Sequence, residues 1–422
     1  MKKITFGLLA ALALCALAWA LNVRDESDDA SAAPTVTPEL LQRGAYLARL
    51  GNCATCHTTR GGTPYAGGHG IDTPFGTVYS SNLTPDAATG IGRWSASDFW
   101  RALHNGRSKD GRLLYPAFPY TSYTAVTRAD SDALYTYLQS LPATAQAATP
   151  HALRWPFSTQ PALAVWRALY FQPGVQQPEP QQSAEWNRGA YLVRGLGHCG
   201  ACHTARNALG ASSGELDLAG GLIPMQNWYA PALTSPHEAG VAGWPREDVA
   251  RLLQTGTAPG ALVQGPMAEV VLQSMQYWSA ADLGAVATYL QALPQTTAAP
   301  PLRDLSPTPG RMLERGAQLY DKHCAQCHGA QGQGVAGAYP ALAGNRAVTM
   351  ASTANLVQTV LNGGFAPATA GNPRPFGMPP FVLVLDDSDI AAVLTHIRSA
   401  WGNQAQGVTE LDVNRMRASP GH

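Results

Sequence analysis

The chain repeats one helical pattern of apolar positions three times. In each copy the positions are spaced i, i+3, i+4 and i+7, which places them on one face of an α-helix. The three stripes are Leu134, Tyr137, Leu138 and Leu141; Val286, Tyr289, Leu290 and Leu293; and Val393, His396, Ile397 and Ala400. A Thr, Ser or Asp residue precedes each stripe, and an Asp lies three positions after that residue, as at a capped helix start. The pattern predicts three capped amphipathic helices that pack in a core.

A second recurring segment lies well upstream of each stripe. It begins Arg-Gly-Ala and predicts a helix at residues 43–47, 188–192 and 315–319. Such a repeat indicates tandem domains. We therefore predict three domains joined and flanked by other segments. The ranges are 1–37 (signal peptide or membrane anchor plus tether), 38–142 (domain 1), 143–182 (a linker that packs on its neighbours), 183–294 (domain 2), 295–310 (linker), 311–403 (domain 3) and 404–422 (C-terminal tail).

The same five-residue motif, Cys-x-x-Cys-His, follows each Arg-Gly-Ala segment. The three copies are Cys53-Ala-Thr-Cys56-His57, Cys199-Gly-Ala-Cys202-His203 and Cys324-Ala-Gln-Cys327-His328. Two thiols on one helical turn can bond to the vinyl groups of a haem, and the adjacent histidine can ligate the iron. Zinc sites use cysteines in fours and need no histidine after each pair. We therefore predict three covalently bound haem c groups, with the six cysteines as attachment points and the three histidines as iron ligands.

The composition bears on partners. The formal net charge is zero, and only 13% of the residues are charged. Because nucleic-acid binding depends on clustered positive charge, this balance argues against a nucleic-acid partner. The 42 glycines and 32 prolines indicate many loops, as expected where short helices surround a cofactor.

The N-terminus predicts the compartment. Lys2 and Lys3 precede an apolar run at residues 4–23, the layout of a secretory signal, and residues 18–20 (Ala-Trp-Ala) form a candidate cleavage site. The run is also long enough to span a bilayer if it is retained. Both alternatives stay open, whereas a lipoprotein reading through Cys15 is disfavoured by the preceding leucine. Either alternative predicts a mature protein on the periplasmic side of a bacterial inner membrane, where haem c is attached.

Methionine opposite histidine is the common ligand pair in cytochromes c. In the third domain we predict Met378, within Gly-Met-Pro-Pro-Phe, rather than Met350 or Met416. In the second domain we predict Met267, rather than Met275 or Met225. Both chosen methionines lie shortly before the capped helix of their domain.

The first domain contains no methionine. At the corresponding place the chain reads Tyr115-Pro-Ala-Phe118-Pro-Tyr120, and phenylalanine cannot bind iron. His69, in a glycine-rich loop, and His104, on a middle helix, are substitute ligands. We expect instead that the first haem is five-coordinate or binds water.

Several sequence blocks resemble the triple-haem cytochrome c subunit of membrane-bound dehydrogenases. They are Arg-Gly-Ala-Tyr-Leu with Cys-x-x-Cys-His-Thr, Thr73-Pro-Phe-Gly-Thr77, Ser81-Asn-Leu-Thr-Pro85, residues 115–123, residues 186–203 and Gly265-Pro-Met-Ala-Glu-Val-Val271. The resemblance covers residues 38 to 415 and implies an all-α fold of three tandem cytochrome c-like domains. In that family the position of Phe118 is usually methionine, so this chain departs from the family there.

The resemblance also implies a function. A separate catalytic subunit of quinoprotein, flavoprotein or molybdenum type would oxidise an alcohol, sugar acid, aldehyde or N-heterocycle. Its electrons would pass along three haems to ubiquinone in the membrane or to another downstream acceptor. We find no acid–base pair for substrate oxidation, and we expect His198 and His323 to be solvent-side helix residues. Two alternatives stay open: a haem enzyme such as a peroxidase, and the cytochrome subunit of a terminal oxidase.

Overall fold

A computed structural model describes residues 34–212, 217–296 and 310–418, together with Ala13 and Asn22. The predicted signal or anchor therefore lies almost wholly outside the described residues, as does most of the 295–310 linker. The described part is mostly helical, with 43% helix and 9% strand. None of the helices in these ranges is both long and apolar enough to cross a lipid bilayer.

The chain forms two compact units. The first comprises Met1–Gln182, Ala190–Ala201 and Asn207–Ala211. The second comprises Ser183–Gly189, Cys202–Arg206 and Ser212–His422.

The first part of the chain, through the connector, contains six helices among its described residues. They are α1 (Pro38–Leu50), α2 (Cys53–Cys56), α3 (Ala96–Asn105), α4 (Tyr120–Tyr123), α5 (Arg128–Gln139) and α6 (Gln160–Tyr170). An antiparallel sheet of order β1-β2-β3 is formed by β1 (Gly70–Thr73), β2 (Gly76–Tyr79) and β3 (Ala152–Leu153). Two further helices, α7 (Ala184–Tyr191) and α8 (Gly200–His203), flank a π-helical turn at Leu192–Leu196.

The rest of the described chain continues the helical pattern with short strand pairs. Its helices are α9 (Arg246–Thr255), α10 (Pro266–Gln273), α11 (Ala280–Gln291), α12 (Gly310–His323), α13 (Ala325–His328), α14 (Arg346–Thr349), α15 (Ala354–Asn362), α16 (Asp387–Ser399) and α17 (Glu410–Arg417), with a 3-10 turn at Met275–Tyr277. The antiparallel pairs are β4 (Gly221–Leu222) with β5 (Tyr229–Ala230), β6 (Thr257–Ala258) with β7 (Ala261–Leu262), and β8 (Gly364–Phe365) with β9 (Gly377–Met378).

A glycine in each Arg-Gly-Ala segment allows two helices to cross closely. A Cβ at Gly44 in α1 would collide with the carbonyl oxygen of Ala133 in α5. Gly189 meets Ala285 of α11 in the same way, and Gly316 of α12 meets Ala392 of α16. Since glycine has no side chain, the backbones can approach to a distance that any other residue would prevent. The repeated glycine therefore permits the close crossing of the two helices in each repeat.

The arginine before each glycine forms an ion pair with the last helix of the same repeat. Nε of the arginine donates to a carboxylate oxygen at 2.7 Å in all three copies. The pairs are Arg43 with Asp130, Arg188 with Asp282, and Arg315 with Asp389. The predicted caps are confirmed, because Thr127, Ser279 and Asp386 each accept a hydrogen bond from the backbone N–H of that aspartate. Each aspartate therefore takes part in the cap in the first turn of its helix and also joins that helix to the Arg-Gly-Ala helix of the same repeat.

The connector and the tail contain more structure than the sequence pattern indicated. In the connector, β3 joins the first sheet, and the 11-residue helix α6 buries Leu163 and Arg167. In the tail, α17 begins at a capping box formed by Thr409 and Asp412 and buries Val413 completely. Helix α17 packs against α15 and α16.

Candidate haem-binding sites

Each Cys-x-x-Cys-His motif lies on or beside a single helical turn that follows an Arg-Gly-Ala helix. The first motif forms α2 and ends at His57, while α8 and α13 hold the second halves of the other two motifs. Asn52 before Cys53 and His198 before Cys199 adopt positive φ angles of 52° and 37°, which turn the chain sharply into the motif. The six motif cysteines are not joined in disulfides.

All three motif histidines share one hydrogen-bonding arrangement. Nδ1 of His57 donates to the carbonyl oxygen of Ser81 at 2.7 Å. His203 does the same to Pro231 at 2.7 Å, and His328 to Pro340 at 2.9 Å. Because a carbonyl can only accept, Nδ1 carries the proton and Nε2 keeps a lone pair. In this tautomer the carbonyl holds the imidazole ring in place through Nδ1, and Nε2 can bind a metal.

Burial adjusts the protonation of the motif side chains in the same sense. Desolvation lowers the pKa of His57 and of His203, which keeps both rings neutral. It raises the pKa of the Cys53 thiol to about 12 and that of Cys324 to about 11, with the second motif cysteine adding to both shifts. A thiol that stays protonated is a poor zinc ligand.

The third motif opens into a cavity of about 540 Å³ that also contains Met378. The walls of this cavity include Cys324, Cys327, His328 and Phe381. The volume lies within the range of a cofactor pocket. The structure therefore brings Met378 and His328, which are separated by 50 positions in sequence, to the same enclosed space.

The rival methionines of the third repeat serve other purposes. Met350 is 5% exposed, and its carbonyl accepts a hydrogen bond from the buried Arg398. Met416 packs against the core of the repeat, with its sulfur near the amide of Gln358. Both are structural side chains, and the assignment of Met378 as an iron ligand stays a prediction.

Residues of the second repeat complete one wall of this cavity. The β6–β7 hairpin, Gln264 and Arg251 of α9 all line it. The cavity beside the third motif is therefore not built by the third repeat alone.

In the second repeat, Met267 lies at the start of α10, directly after Pro266, and is half-buried. Gly265, two residues before Met267, has a φ of 55° and packs against the ring of Trp228. Met275 is buried in the core, whereas Met225 is largely exposed. The assignment of Met267 stays a prediction.

Phe118 lies in a tight loop beside the first motif. Its ring centroid is 5.4 Å from that of Tyr123. The Tyr123 hydroxyl donates to the carbonyl oxygen of Gly51 at 3.0 Å, two residues before Cys53. Burial raises the pKa of Tyr123, with Cys53 and Cys56 contributing to the shift. Phe118 therefore belongs to the aromatic wall next to the first motif.

The two substitute ligands of the first repeat have other neighbours. His104 is buried, stacks on Trp100 at 4.4 Å between ring centroids, and contacts the Thr124 hydroxyl through Nδ1 at 3.4 Å. His69 is bound through its backbone to Ser80, the residue before the Ser81 that supports His57. His104 is a core histidine, and His69 belongs to the segment that supports the motif histidine.

The sequence expectation for His198 and His323 was wrong. His198 lies outside any helix and is half-buried, its ring centroid is 5.6 Å from that of Tyr123, and desolvation lowers its pKa. His323 is the last residue of α12 and is half-buried. It packs on Phe381, and both residues line the cavity beside the third motif. Helical spacing alone could not place these side chains, because both face another segment distant in sequence.

These features define a class of protein. A histidine whose Nε2 keeps a lone pair, two adjacent thiols and, in the third repeat, a methionine that lines the same cavity are the parts of a c-type haem site. A largely helical chain that carries this site is a c-type cytochrome, and such domains hold covalently bound haem c.

Comparison with known proteins gives the family. The cytochrome c family profile matches residues 41–142 and 313–401. The chain is 40% identical over 401 residues to the cytochrome c subunit of alcohol dehydrogenase (quinone) from Gluconacetobacter polyoxogenes, covering 91% of this chain and 85% of that protein. It is 37% identical to the gluconate 2-dehydrogenase cytochrome c subunit of Pantoea cypripedii, covering 96% and 94%, and 34% identical to the fructose dehydrogenase cytochrome subunit of Gluconobacter japonicus, covering 94% and 86%. The chain belongs to this family of dehydrogenase cytochrome c subunits.

Proposed function

We propose that this chain folds as three tandem cytochrome c-like domains and carries electrons over three covalently bound haems. The electrons come from a catalytic dehydrogenase subunit, as in the relatives, and leave to ubiquinone or another acceptor at the membrane. The observation that carries the proposal is the threefold hydrogen bond from a motif histidine Nδ1 to a backbone carbonyl. An identical support in three places is expected if all three imidazoles bind iron.

The residues would hold the haems as follows. The cysteine pairs 53 and 56, 199 and 202, and 324 and 327 form the thioether bonds, while His57, His203 and His328 ligate iron through Nε2. Met378 and Met267 supply the sixth ligand of the third and second haems. A bound haem supplies one-electron redox chemistry, and the protein sets its potential through ligands and burial.

The first haem differs from the other two in this proposal. Phe118 stands at the expected methionine position, and the stacking of His104 on Trp100 supports a core role for that histidine. We infer that the first iron has one weakly occupied or open face. An aromatic wall without an acid–base pair does not favour peroxidase chemistry there, so electron transfer remains the function of this domain too.

The location belongs to the same proposal. The chemistry of haem c attachment supports a periplasmic position, and the apolar run at residues 4–23 would guide export or retain the chain at the membrane. The partner class is a periplasmic dehydrogenase. The substrate of that enzyme is a property of the catalytic subunit.

The experiment that tests the function uses the purified mature chain with and without a catalytic subunit. Alone, the chain should be reduced by dithionite but should oxidise no alcohol, aldehyde or sugar, since the proposal assigns the substrate-oxidising cofactor to the partner subunit. With a partner dehydrogenase and its substrate, the haem absorption bands should change to the reduced form. Substrate turnover by the isolated chain, free of flavin and quinone, would contradict the proposal.

A further inference from the structure

Helix α6 in the connector exposes its apolar side and buries its charge. Val165 and Leu169 are 52% and 64% exposed and follow Pro161 at intervals of four residues, so that all three lie on one outward stripe. Arg167, the one charged residue of the helix, is only 4% exposed. A helix facing water normally has the opposite arrangement. We call the stripe of Pro161, Val165 and Leu169 the α6 face.

The buried arginine holds the helix in this orientation. Nε of Arg167 donates to the side-chain oxygen of Asn22 at 2.8 Å, and Nη1 donates to the carbonyl of Asn105. Its guanidinium also lies over the rings of Phe171, at 4.7 Å, and Tyr120, at 5.6 Å. Rolling the stripe inward would break these hydrogen bonds and ring contacts of Arg167. The α6 face is therefore a stable outward surface.

Asn22 connects this helix to the apolar N-terminal run. It is the penultimate residue of the run at 4–23, and its side chain is 6% exposed. Its amide donates to the carbonyl of Ala164 in α6 at 2.8 Å, and its own carbonyl accepts from Arg107 at 3.1 Å. The point at which the apolar run ends is thus bound to the inner side of α6.

Aromatic groups with a polar end extend the apolar surface. The indole N–H of Trp166 donates to the carbonyl oxygen of the exposed Leu209 at 2.9 Å, and its ring packs on the exposed Tyr170 at 5.6 Å. Trp155, five residues before α6, is 82% exposed. Tryptophan and tyrosine are enriched where a protein meets the headgroup layer of a bilayer.

We propose that the α6 face lies on the membrane surface, in contact with lipid, beside Asn22 at the end of the apolar run. The inference rests on the membrane association in the proposed function and adds which surface makes the contact. An uncharged stripe, flanking aromatic residues and the bound end of an apolar run all fit a lipid partner. Such a helix lies in the interface plane with its apolar side in the headgroup region.

The test places a photoreactive residue on the full-length holoprotein. Leu169→benzoylphenylalanine is compared with Leu383→benzoylphenylalanine, a matched control at a 96% exposed leucine of the third repeat. Both proteins are reconstituted with vesicles of phosphatidylethanolamine and phosphatidylglycerol, irradiated and analysed by mass spectrometry. We expect about tenfold more lipid adducts at position 169, since it would lie among acyl chains while position 383 faces water.

The outcomes separate the inference from the proposed function. A protein that floats with the vesicles but gives equal adducts at the two positions overturns the α6 face as the contact and leaves membrane association intact. A protein that does not float contradicts membrane association itself, and the inference with it. Adducts at 169 to a polypeptide rather than lipid, in native membranes, would assign the face to a protein partner and overturn the proposal.

Discussion

Phe118 is the residue that most distinguishes the first repeat from the other two. It packs on Tyr123 in a loop held by a hydrogen bond from its own N–H to the Tyr115 carbonyl at 3.0 Å. In the third repeat a methionine lines the cavity with its motif histidine. An iron without a strong sixth ligand is high-spin and can bind small external ligands.

The wild-type protein should therefore show one high-spin and two low-spin haems in electron paramagnetic resonance, and one haem should bind carbon monoxide. Phe118→Met should convert the high-spin signal to low-spin, because the prolines at 116 and 119 already shape the loop and methionine is a strong ligand. His69→Ala serves as the control and should leave the spectrum unchanged.

Three low-spin signals in the wild-type protein would contradict the open first site. If His69→Ala, rather than Phe118→Met, then changed the spectrum, His69 would be the ligand.

At the scale of helices, the Arg-Gly-Ala repeat shows what could be read from sequence. The stripes, caps and motif positions could be predicted, because they depend on residues within one or two turns. The crossing at Gly44 and the ion pair from Arg43 to Asp130 could not, since they join residues 87 or more positions apart. Strands of two residues, such as β8, are too short for an alternating pattern to reveal them. The inward orientation of Arg167 in α6 could not be predicted either, because helical spacing does not show which face of a helix is exposed.

Gly44→Ala should destabilise the first unit. A Cβ there overlaps the Ala133 carbonyl, and overpacking of this kind costs about 1–3 kcal/mol. The control is Gly174→Ala, where no atom lies within 4 Å of the added Cβ, so a change within about 0.5 kcal/mol is expected. Denaturant unfolding of the two holoproteins, followed by circular dichroism, measures the difference. Equal midpoints for the two variants would show that the close crossing contributes nothing to stability.

At the scale of the whole molecule, one chain carries three Cys-x-x-Cys-His motifs whose surroundings differ. The first motif lies beside an aromatic wall where a methionine is expected. The cavity beside the third motif is lined partly by Arg251 and the β6–β7 hairpin of the second repeat. The sequence motifs revealed the number of predicted sites, whereas the shared wall depends on packing between repeats.

The central claim, three covalent haems on one chain, is tested most directly by a haem count. A pyridine haemochrome assay of the purified mature protein, normalised to polypeptide mass, should give three haems per chain. Replacing one motif's two cysteines by alanine should reduce the count to two, whichever motif is changed, because each pair forms its own thioether bonds. A count of two or fewer in the fully matured wild-type chain would contradict the account.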